Sequence, residues 1–330
     1  QIQATSRDGI SGIKVVKIPL PPTPSKHQVR VSIKTAGVNF YDLYTCLGLG
    51  QNNSFPCALG LEATGVVEDS GQDSGYEVGD RVVVHCPEGG AFSEHVTVDS
   101  THVISLPDSV TFDAAAAITV SYLTAYFALH CAGCLQEHGS VFVHSAAGSV
   151  GWAATQLAKQ VKGVTVLGTA SASKLEAISQ NGVDHLISHD QDYLQEVKRL
   201  MPDGVSLVLD CLAGQHLAKS QAMLAPFGKV VLLGAKDMIL QSGEEVVQTE
   251  PVQPFNLIMN NIGVTGLHLN ELQKRCPDVF NSAWEEILHL AATSKITPRI
   301  HDTYPMAEAA EACRQLRDRL NVGKVILKME

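Results

Sequence analysis

Aromatic residues are scarce in this chain of 330 residues, at 5%, and charged residues make up only 18%. With 45% hydrophobic residues beside so little charge, a mainly disordered chain is excluded, because there is enough apolar surface to offset the entropy of ordering. Positive charge is in short supply: 24 Lys and Arg stand against 34 Asp and Glu, a net charge of −10. So acidic a chain repels phosphate backbones, and nucleic-acid binding is not expected. Cysteine is sparse, with eight residues at 46, 57, 86, 131, 134, 211, 276 and 313. That is too few for a disulfide scaffold, and the expectation is reduced thiols in a cytoplasmic protein. No apolar run of the secretory type opens the chain, where Gln1 to Ala4 are followed by Arg7 and Asp8. The first residue is not Met, and no repeat or low-complexity tract occurs beyond Ala114–Ala117.

One segment is long and uncharged. Ala114 to Gln136 contains no Asp, Glu, Lys or Arg and is long enough to span a bilayer. It also carries Thr119, Ser121, Tyr122, Thr124, Tyr126 and His130, all of which a spanning helix would have to satisfy internally. A helix buried in a protein core is expected, and no membrane span.

The length suggests about two domains. Before residue 117 the pattern is one of strands and turns. Val29 to Lys34 alternates apolar and polar residues, Gly65 to Glu68 and Arg81 to Val84 are further strands, and Gly71, Gly75, Gly79 and Gly89-Gly90 punctuate them. From about 118 strands and helices alternate: Val141–His144, helix 149–161, Val164–Leu167, helix 174–180, Leu186-Ile187, helix 193–200, Leu207–Leu209, helix 216–224 and Val230–Leu233. That rhythm means a parallel sheet wound on both faces. The fold class is α/β: a β-barrel domain over 1–117, a doubly wound Rossmann domain over 118–262, and a return segment over 263–330 ending in a strand at 324–327.

The strongest motif is Val141-Phe142-Val143-His144-Ser145-Ala146-Ala147-Gly148-Ser149-Val150-Gly151. It is a variant of G-x-G-x-x-G with Ala146 at the first glycine. Gly148 lets the backbone approach a pyrophosphate, and Gly151 lets the helix pack on the strand. The helix N-terminus adds unpaired N–H groups and positive potential. Its setting, after a strand and at the head of a βαβ repeat, is what gives the pattern weight.

An NAD enzyme places Asp or Glu about 20 residues further on. Here Gly168-Thr169-Ala170-Ser171 contains no acid, and Lys174 follows. Ser173 and Glu176 have capping-box spacing, which puts Lys174 in the first helical turn. A cation there costs a few tenths to about 1 kcal/mol against the helix dipole. A ribose 2′-phosphate would reverse that cost, so NADPH is the expected cofactor. Zinc is not expected. Cys131 and Cys134 have no second pair nearby, and their spacing fits one helix face as small core residues.

Taken together, these residues resemble the medium-chain dehydrogenase/reductase superfamily over nearly the whole chain. That resemblance implies a GroES-like barrel followed by a Rossmann domain. Zinc-type members carry ligands where this chain has Asn39 and Leu61. Gly37-Val38-Asn39-Phe40-Tyr41-Asp42, Leu123–Tyr126 and Gly79–Val82 are instead similar to the zinc-free quinone-oxidoreductase branch. Gly168–Lys174 and Asn321–Val325 resemble its synaptic-vesicle amine-transport-protein homologues.

The resemblance implies roles for single residues. Asn39 and Thr124 border the nicotinamide, and Asp42 and Tyr44 line the substrate cleft with Tyr41. Ala147, Gly148, Ser149 and Val150 hold the pyrophosphate, and Ser171 and Lys174 the 2′-phosphate. His189 stands where relatives often have Tyr near the adenine ribose, Gly234, Leu267 and His268 line the nicotinamide end, and Asn321 completes the cofactor contacts. Other readings of these residues stay open: Asn39 suits a turn, Thr124 suits a bond within its helix, and Tyr44 suits half-buried packing. The implied activity is hydride transfer from NADPH to a quinone or an α,β-unsaturated carbonyl, by a homodimer pairing through Asn261–Gly266. Two alternatives accompany it: a non-catalytic, peripheral vesicle protein, and an enoyl-reductase domain of a fatty-acid or polyketide synthase.

Overall fold

The computed structural model describes residues 1–50, 54–236 and 252–329. The chain divides into two compact units, residues 1–121 with 270–330, and residues 122–269. The first opens with β1 (Ile2–Ala4), β2 (Ile13–Val15), β3 (Gln28–Gly37), α1 (Phe40–Cys46) and β4 (Cys57–Ala58). It continues through β5 (Glu62–Ser70), β6 (Arg81–His85), β7 (His95–Asp99) and β8 (Val103–Ser105). β3 is long because its apolar residues recur every second position. Val29, Val31 and Ile33 all point inward and are buried. β6 has no such alternation: Val82, Val83 and Val84 are all fully buried.

Helix α2 (Phe112–Tyr126) passes into a π-helical stretch over Phe127–Ala132. This run, 112–132, is long and apolar enough to cross a membrane, yet 67% of its most apolar window is buried within the protein. It stops at Ala132, four residues before the expected end. Gly133 caps it by donating to the Ala128 carbonyl, and Cys134 takes a left-handed φ of 53°. Cys131 and Cys134 are therefore exposed where the helix ends, not core residues on one helix face as their spacing suggested.

The second unit carries the parallel sheet. Its strands are β9 (Ser140–Val143), β10 (Thr165–Ala170), β11 (His185–Ser188), β12 (Val205–Asp210), β13 (Leu224–Leu232) and β14 (Gly263–Gly266). Between them run α3 (Ser149–Gln160), α4 (Leu175–Gln180), α5 (Tyr193–Leu200), α6 (His216–Ala222) and α7 (Pro254–Asn260). The spatial order is β11-β10-β9-β12-β13-β14. Counted from β9 this is 3-2-1-4-5-6, the dinucleotide-binding order, whose ligands sit beyond the C-terminal strand ends where the order reverses. Phe142, Leu167, Ile187, Val208 and Val230 from successive strands meet in one core. Strand Gly263–Gly266, assigned from sequence to the return segment, pairs in parallel with β13 and belongs to this sheet.

Residues 270–329 return to the first unit. They supply most of α8 (Leu269–Arg275), then α9 (Pro277–Ala292), β15 (Ile300–Pro305), α10 (Ala309–Arg317) and β16 (Lys324–Lys328). β16 pairs antiparallel with β3, Leu327 facing Ala36, and Ala312, Cys313 and Leu316 of α10 join the same core as Ile2 and Leu43.

At Gly151 the chain needs close approach. A Cβ there would lie 2.4 Å from the Ser145 carbonyl oxygen and 2.7 Å from Ala146 Cα, both backbone atoms that cannot turn aside. Gly151→Ala should therefore lower unfolding stability by about 1–3 kcal/mol, read as a lower urea midpoint at unchanged slope.

Candidate active site

The barrel unit builds its site around the start of α1. Asn39 is extended, with φ −125° and ψ 157°, and caps the helix. Asp42, three residues on, reaches back: the Asn39 N–H donates to its Oδ2 at 2.8 Å. The Gly60 N–H donates to its Oδ1 at 2.9 Å. One carboxylate thus pins the helix N-terminus to the segment before β5. Burial pushes the Asp42 carboxyl up to about 7, against the opposing pull of its two backbone N–H partners and of Lys324.

A cavity of about 200 Å³ opens beside α1, lined by Tyr41, Asp42 and Thr45, by residues 57–61, and by residues 87–89. Tyr41 and Thr45 lie one turn apart and so share a face. Tyr44 is not among the residues lining this cavity; its ring centroid lies 6.4 Å from that of Phe40. Asp42 reaches the wall, but its carboxylate oxygens are engaged by backbone. Its role in the structure is to position α1 and Gly60.

Behind the cavity lies a buried ionic network. The Lys324 side chain is 1% exposed and that of Glu62 is 0% exposed. Lys324 Nζ donates to Glu62 Oε1 at 2.5 Å, to Asn39 Oδ1 at 2.7 Å and to Ser121 Oγ at 3.4 Å. Asn39 Nδ2 donates to Glu62 Oε1 at 2.8 Å and to the Gly37 carbonyl at 3.1 Å, and the Val120 N–H donates to Glu62 Oε2 at 2.7 Å. Only glycine fits at 37. A Cβ there would lie 2.4 Å from the Ala116 carbonyl and 2.5 Å from Glu62 Oε1. The Asn39 carboxamide is consumed in this network, and among the described residues no group of three or more His, Cys, Asp or Glu is placed to hold a metal ion. Glu62 and Lys324 were not singled out from sequence. Each opens its strand, and each strand carries further charge of the same sign near its other end, so neither stands out locally.

The other expected residues lie in the second unit, apart from Asn321. Thr124 is half-buried on α2. Ser145 takes a left-handed φ of 55° and Ala146 N–H donates to the Thr169 carbonyl at 2.8 Å, which ties the turn after β9 to β10. Ala147 is buried, while Gly148, Ser149 and Val150 are partly exposed at the head of α3. The first N–H groups of a helix have no partner within it, so this turn points donors outward. A Cβ on Gly148 would meet only the Ser145 oxygen, at 3.3 Å, so its outer face is open to a ligand. These residues fit a dinucleotide pyrophosphate.

β10 ends at Ala170, and Ser171 leads into a 3-10 turn over Ala172–Lys174. The capping box expected at Ser173 and Glu176 does not form. The 3-10 turn displaces the start of α4 to Leu175, with Lys174 at its N-cap position and no side-chain cap bond. His189 is exposed, its N–H donates to the Ala170 carbonyl at 3.0 Å, and its Nε2 lies 3.4 Å from Asp190. Gly234 follows β13, and Leu267 donates to the Leu232 carbonyl at 3.0 Å beside exposed His268. Asn321 belongs to the barrel unit, where its Nδ2 donates to the Gly323 carbonyl at 2.8 Å.

Comparison with known proteins agrees with this geometry. Residues 25–108 match the alcohol dehydrogenase GroES-like domain and residues 149–289 the zinc-binding dehydrogenase domain. The synaptic vesicle membrane protein VAT-1 homolog of Danio rerio is 38% identical, over 98% of this chain and 69% of the relative. The chain belongs to the medium-chain dehydrogenase/reductase superfamily, close to the VAT-1 homologues. The crystal structure of the human VAT-1 homolog-like protein is similar with a TM-score of 0.88 at 32% identity, covering 100% of this chain and 97% of that one. Escherichia coli quinone oxidoreductase complexed with NADPH is similar with a TM-score of 0.89 at 26% identity, covering 99% of each chain. Membership in this superfamily makes the chain an oxidoreductase with a nicotinamide cofactor.

Two outcomes follow from the barrel site. Lys324→Met leaves Glu62 buried without its cation and should cost about 3–5 kcal/mol, whereas Glu62→Gln with Lys324→Met should cost at least about 2 kcal/mol less, by urea unfolding. For Asp42, the folded carboxyl titrates near 7 and the unfolded one near the ordinary aspartate value of 3.8. Between these values the folded state holds the proton and the unfolded state does not. The contribution is full below the lower value and is lost as pH rises through 7. Unfolding free energy measured from pH 4 to 7 should therefore fall more steeply in the wild type than in Asp42→Asn.

Proposed function

We propose that the chain is an NADPH-dependent, zinc-free reductase that passes hydride to an electron-poor carbonyl compound, a quinone or an α,β-unsaturated ketone. The observation carrying this reading is the end of β10, where Ser171 to Lys174 offers a hydroxyl and an ammonium and no carboxylate. An Asp or Glu at that place selects the ribose hydroxyl of NAD, and a cation with a hydroxyl suits the 2′-phosphate. The structural relative from Escherichia coli is itself described in complex with NADPH.

The bound cofactor supplies hydride. This chain's residues bind and orient. The first-turn N–H groups of Ser149 and Val150 hold the pyrophosphate, and Ser171 and Lys174 hold the 2′-phosphate. Tyr41, Thr45 and Leu61 wall the acceptor ring, and Asp42 keeps that wall in place through Gly60. A quinone that accepts hydride and one proton from solvent becomes a hydroquinone, its charge spread over ring and oxygens without a Lewis acid. Alcohol oxidation is different, since the hydroxyl pKa must be lowered. At the places of zinc ligands this chain has Leu61 and an Asn39 tied to Glu62 and Lys324.

The chain is further proposed to act as a cytoplasmic homodimer. β14 is the edge of the parallel sheet, and Phe227, Phe255, Ile258 and Met259 close to it in sequence or bonding are exposed. An apolar edge of this kind is a liability that pairing with a second copy removes. Light scattering at micromolar concentration should give twice the chain mass, and a monomer refutes this part.

A second reading, a non-catalytic vesicle protein retaining the cofactor, draws on the printed description of the relatives as synaptic vesicle membrane proteins. One set of assays separates the two. NADPH should be oxidised by an ortho-quinone or enone, ethanol and sorbitol should not be oxidised, and elemental analysis should find no stoichiometric zinc. Lys174→Ala should weaken NADPH about 10- to 100-fold and NADH little, from a charge-assisted contact worth about 1.5–3 kcal/mol. Tight NADPH binding with no acceptor reduced favours the vesicle protein.

A further inference from the structure

The cavity beside α1 has a chemistry more specific than its size. At about 200 Å³ it exceeds the roughly 150 Å³ of an engineered cavity that admits benzene, so a single ring fits. Among the described residues its wall includes two acids, Asp42 and Glu88, and no Lys, Arg or His. Glu88 is exposed at the rim. The Lys324 side chain is only 1% exposed, and its ammonium is turned into the bond with Glu62. His102, which feels the Glu88 charge, is held below its ordinary value chiefly by burial.

Four polar donors of the wall are also spent. The Gly60 N–H is bound to Asp42 at 2.9 Å, and the Leu59 N–H to the Ile2 carbonyl at 3.1 Å. The Gly89 N–H is bound to the Cys86 carbonyl at 2.9 Å, and the Thr45 hydroxyl to the Tyr41 carbonyl at 3.0 Å. An anion entering this space meets two carboxyl groups and loses its hydration without finding those donors. A neutral ring loses little. A cation gains from Glu88, in a cleft where walls of low dielectric strengthen the field.

We propose that this cavity selects its acceptor by charge: it takes uncharged or cationic electron-poor carbonyl compounds and turns away those bearing a carboxylate, sulfonate or phosphate. The proposal rests on the reductase reading for its site but makes a separate claim about it.

The test uses three benzoquinones with one core and a methyl, a sulfonate or a trimethylammonium substituent, with NADPH oxidation as the rate. At low ionic strength kcat/KM for the sulfonate should be at least tenfold below that of the methyl compound. Added salt should narrow the gap, since exposed charges are screened. Glu88→Lys, a charge reversal at the rim, should raise the sulfonate-to-methyl ratio at least tenfold. Equal turnover of sulfonate and methyl compounds, or a ratio that the charge reversal leaves unmoved, overturns the proposal. If none of the three oxidises NADPH, the reductase reading fails, and binding to cofactor-free protein by saturation-transfer NMR still decides this one. Methyl and trimethylammonium compounds bound with the sulfonate excluded support it, and a sulfonate bound as well as the others overturns it.

Discussion

The barrel unit depends on one buried ion pair. Taking Glu62 and Lys324 out of water costs several kcal/mol per ion, a loss that only good geometry and further hydrogen bonds offset. Here both conditions are met. Glu62 accepts from Lys324, Asn39 and the Val120 N–H, and Lys324 has Asn39 and Ser121 as further partners. The neighbours are chosen to suit. Gly37 carries no side chain where the ions lie, and its bare Cα lets the Ala116 carbonyl of α2 come close. Through Asn39 the pair sets the start of α1, and so the direction in which Tyr41 and Thr45 point.

The two units treat hydrogen-bond donors in opposite ways. At the head of α3 the fold leaves helix N–H groups facing outward, with a glycine that keeps the approach open. Beside α1 it spends donors on its own carbonyls and on Asp42. Under the proposed function this is a division of labour by charge. The phosphates of the cofactor find donors in one unit, and the acceptor finds in the other a wall that gives an anion little. A net charge of −10 acts in the same direction over longer range.

Strands β9 to β13 were legible because each holds a short apolar run and each turn carries its own glycine or polar break, whereas β14, Gly-Val-Thr-Gly, fell to the return segment. The glycine turn after β9 was legible for the same reason. What failed were inferences about helix phase and helix ends. The spacing of Ser173 and Glu176 suits a capping box, but a 3-10 turn intervenes and moves the helix start. The cysteine pair was placed on a helix face that ends before Cys134 is reached. Tyr41 and Tyr44, both expected in the cleft, lie three residues and so about 60° apart on the same short helix, and of the two Tyr41 lines the cavity. The ion pair was beyond reach for another reason. Its members are 262 residues apart, and neither carries any local sign of the other.

That separation has a consequence for how the molecule is made. Residues 122–269 are contiguous, so the nucleotide-binding unit has all its strands before residue 270 is synthesised. The barrel unit does not. Its sheet has a gap between β15 and β3 that only β16 fills, and Glu62 has no cation until Lys324 arrives. Long-range pairing of this kind is slow, because the loop must close before any contact rewards it. A nascent chain therefore carries an open barrel, with its acid still hydrated, through the whole synthesis of the other unit. The stretch most exposed to chaperones and proteases is β3 with its neighbours, the part that in the finished protein is among the best buried.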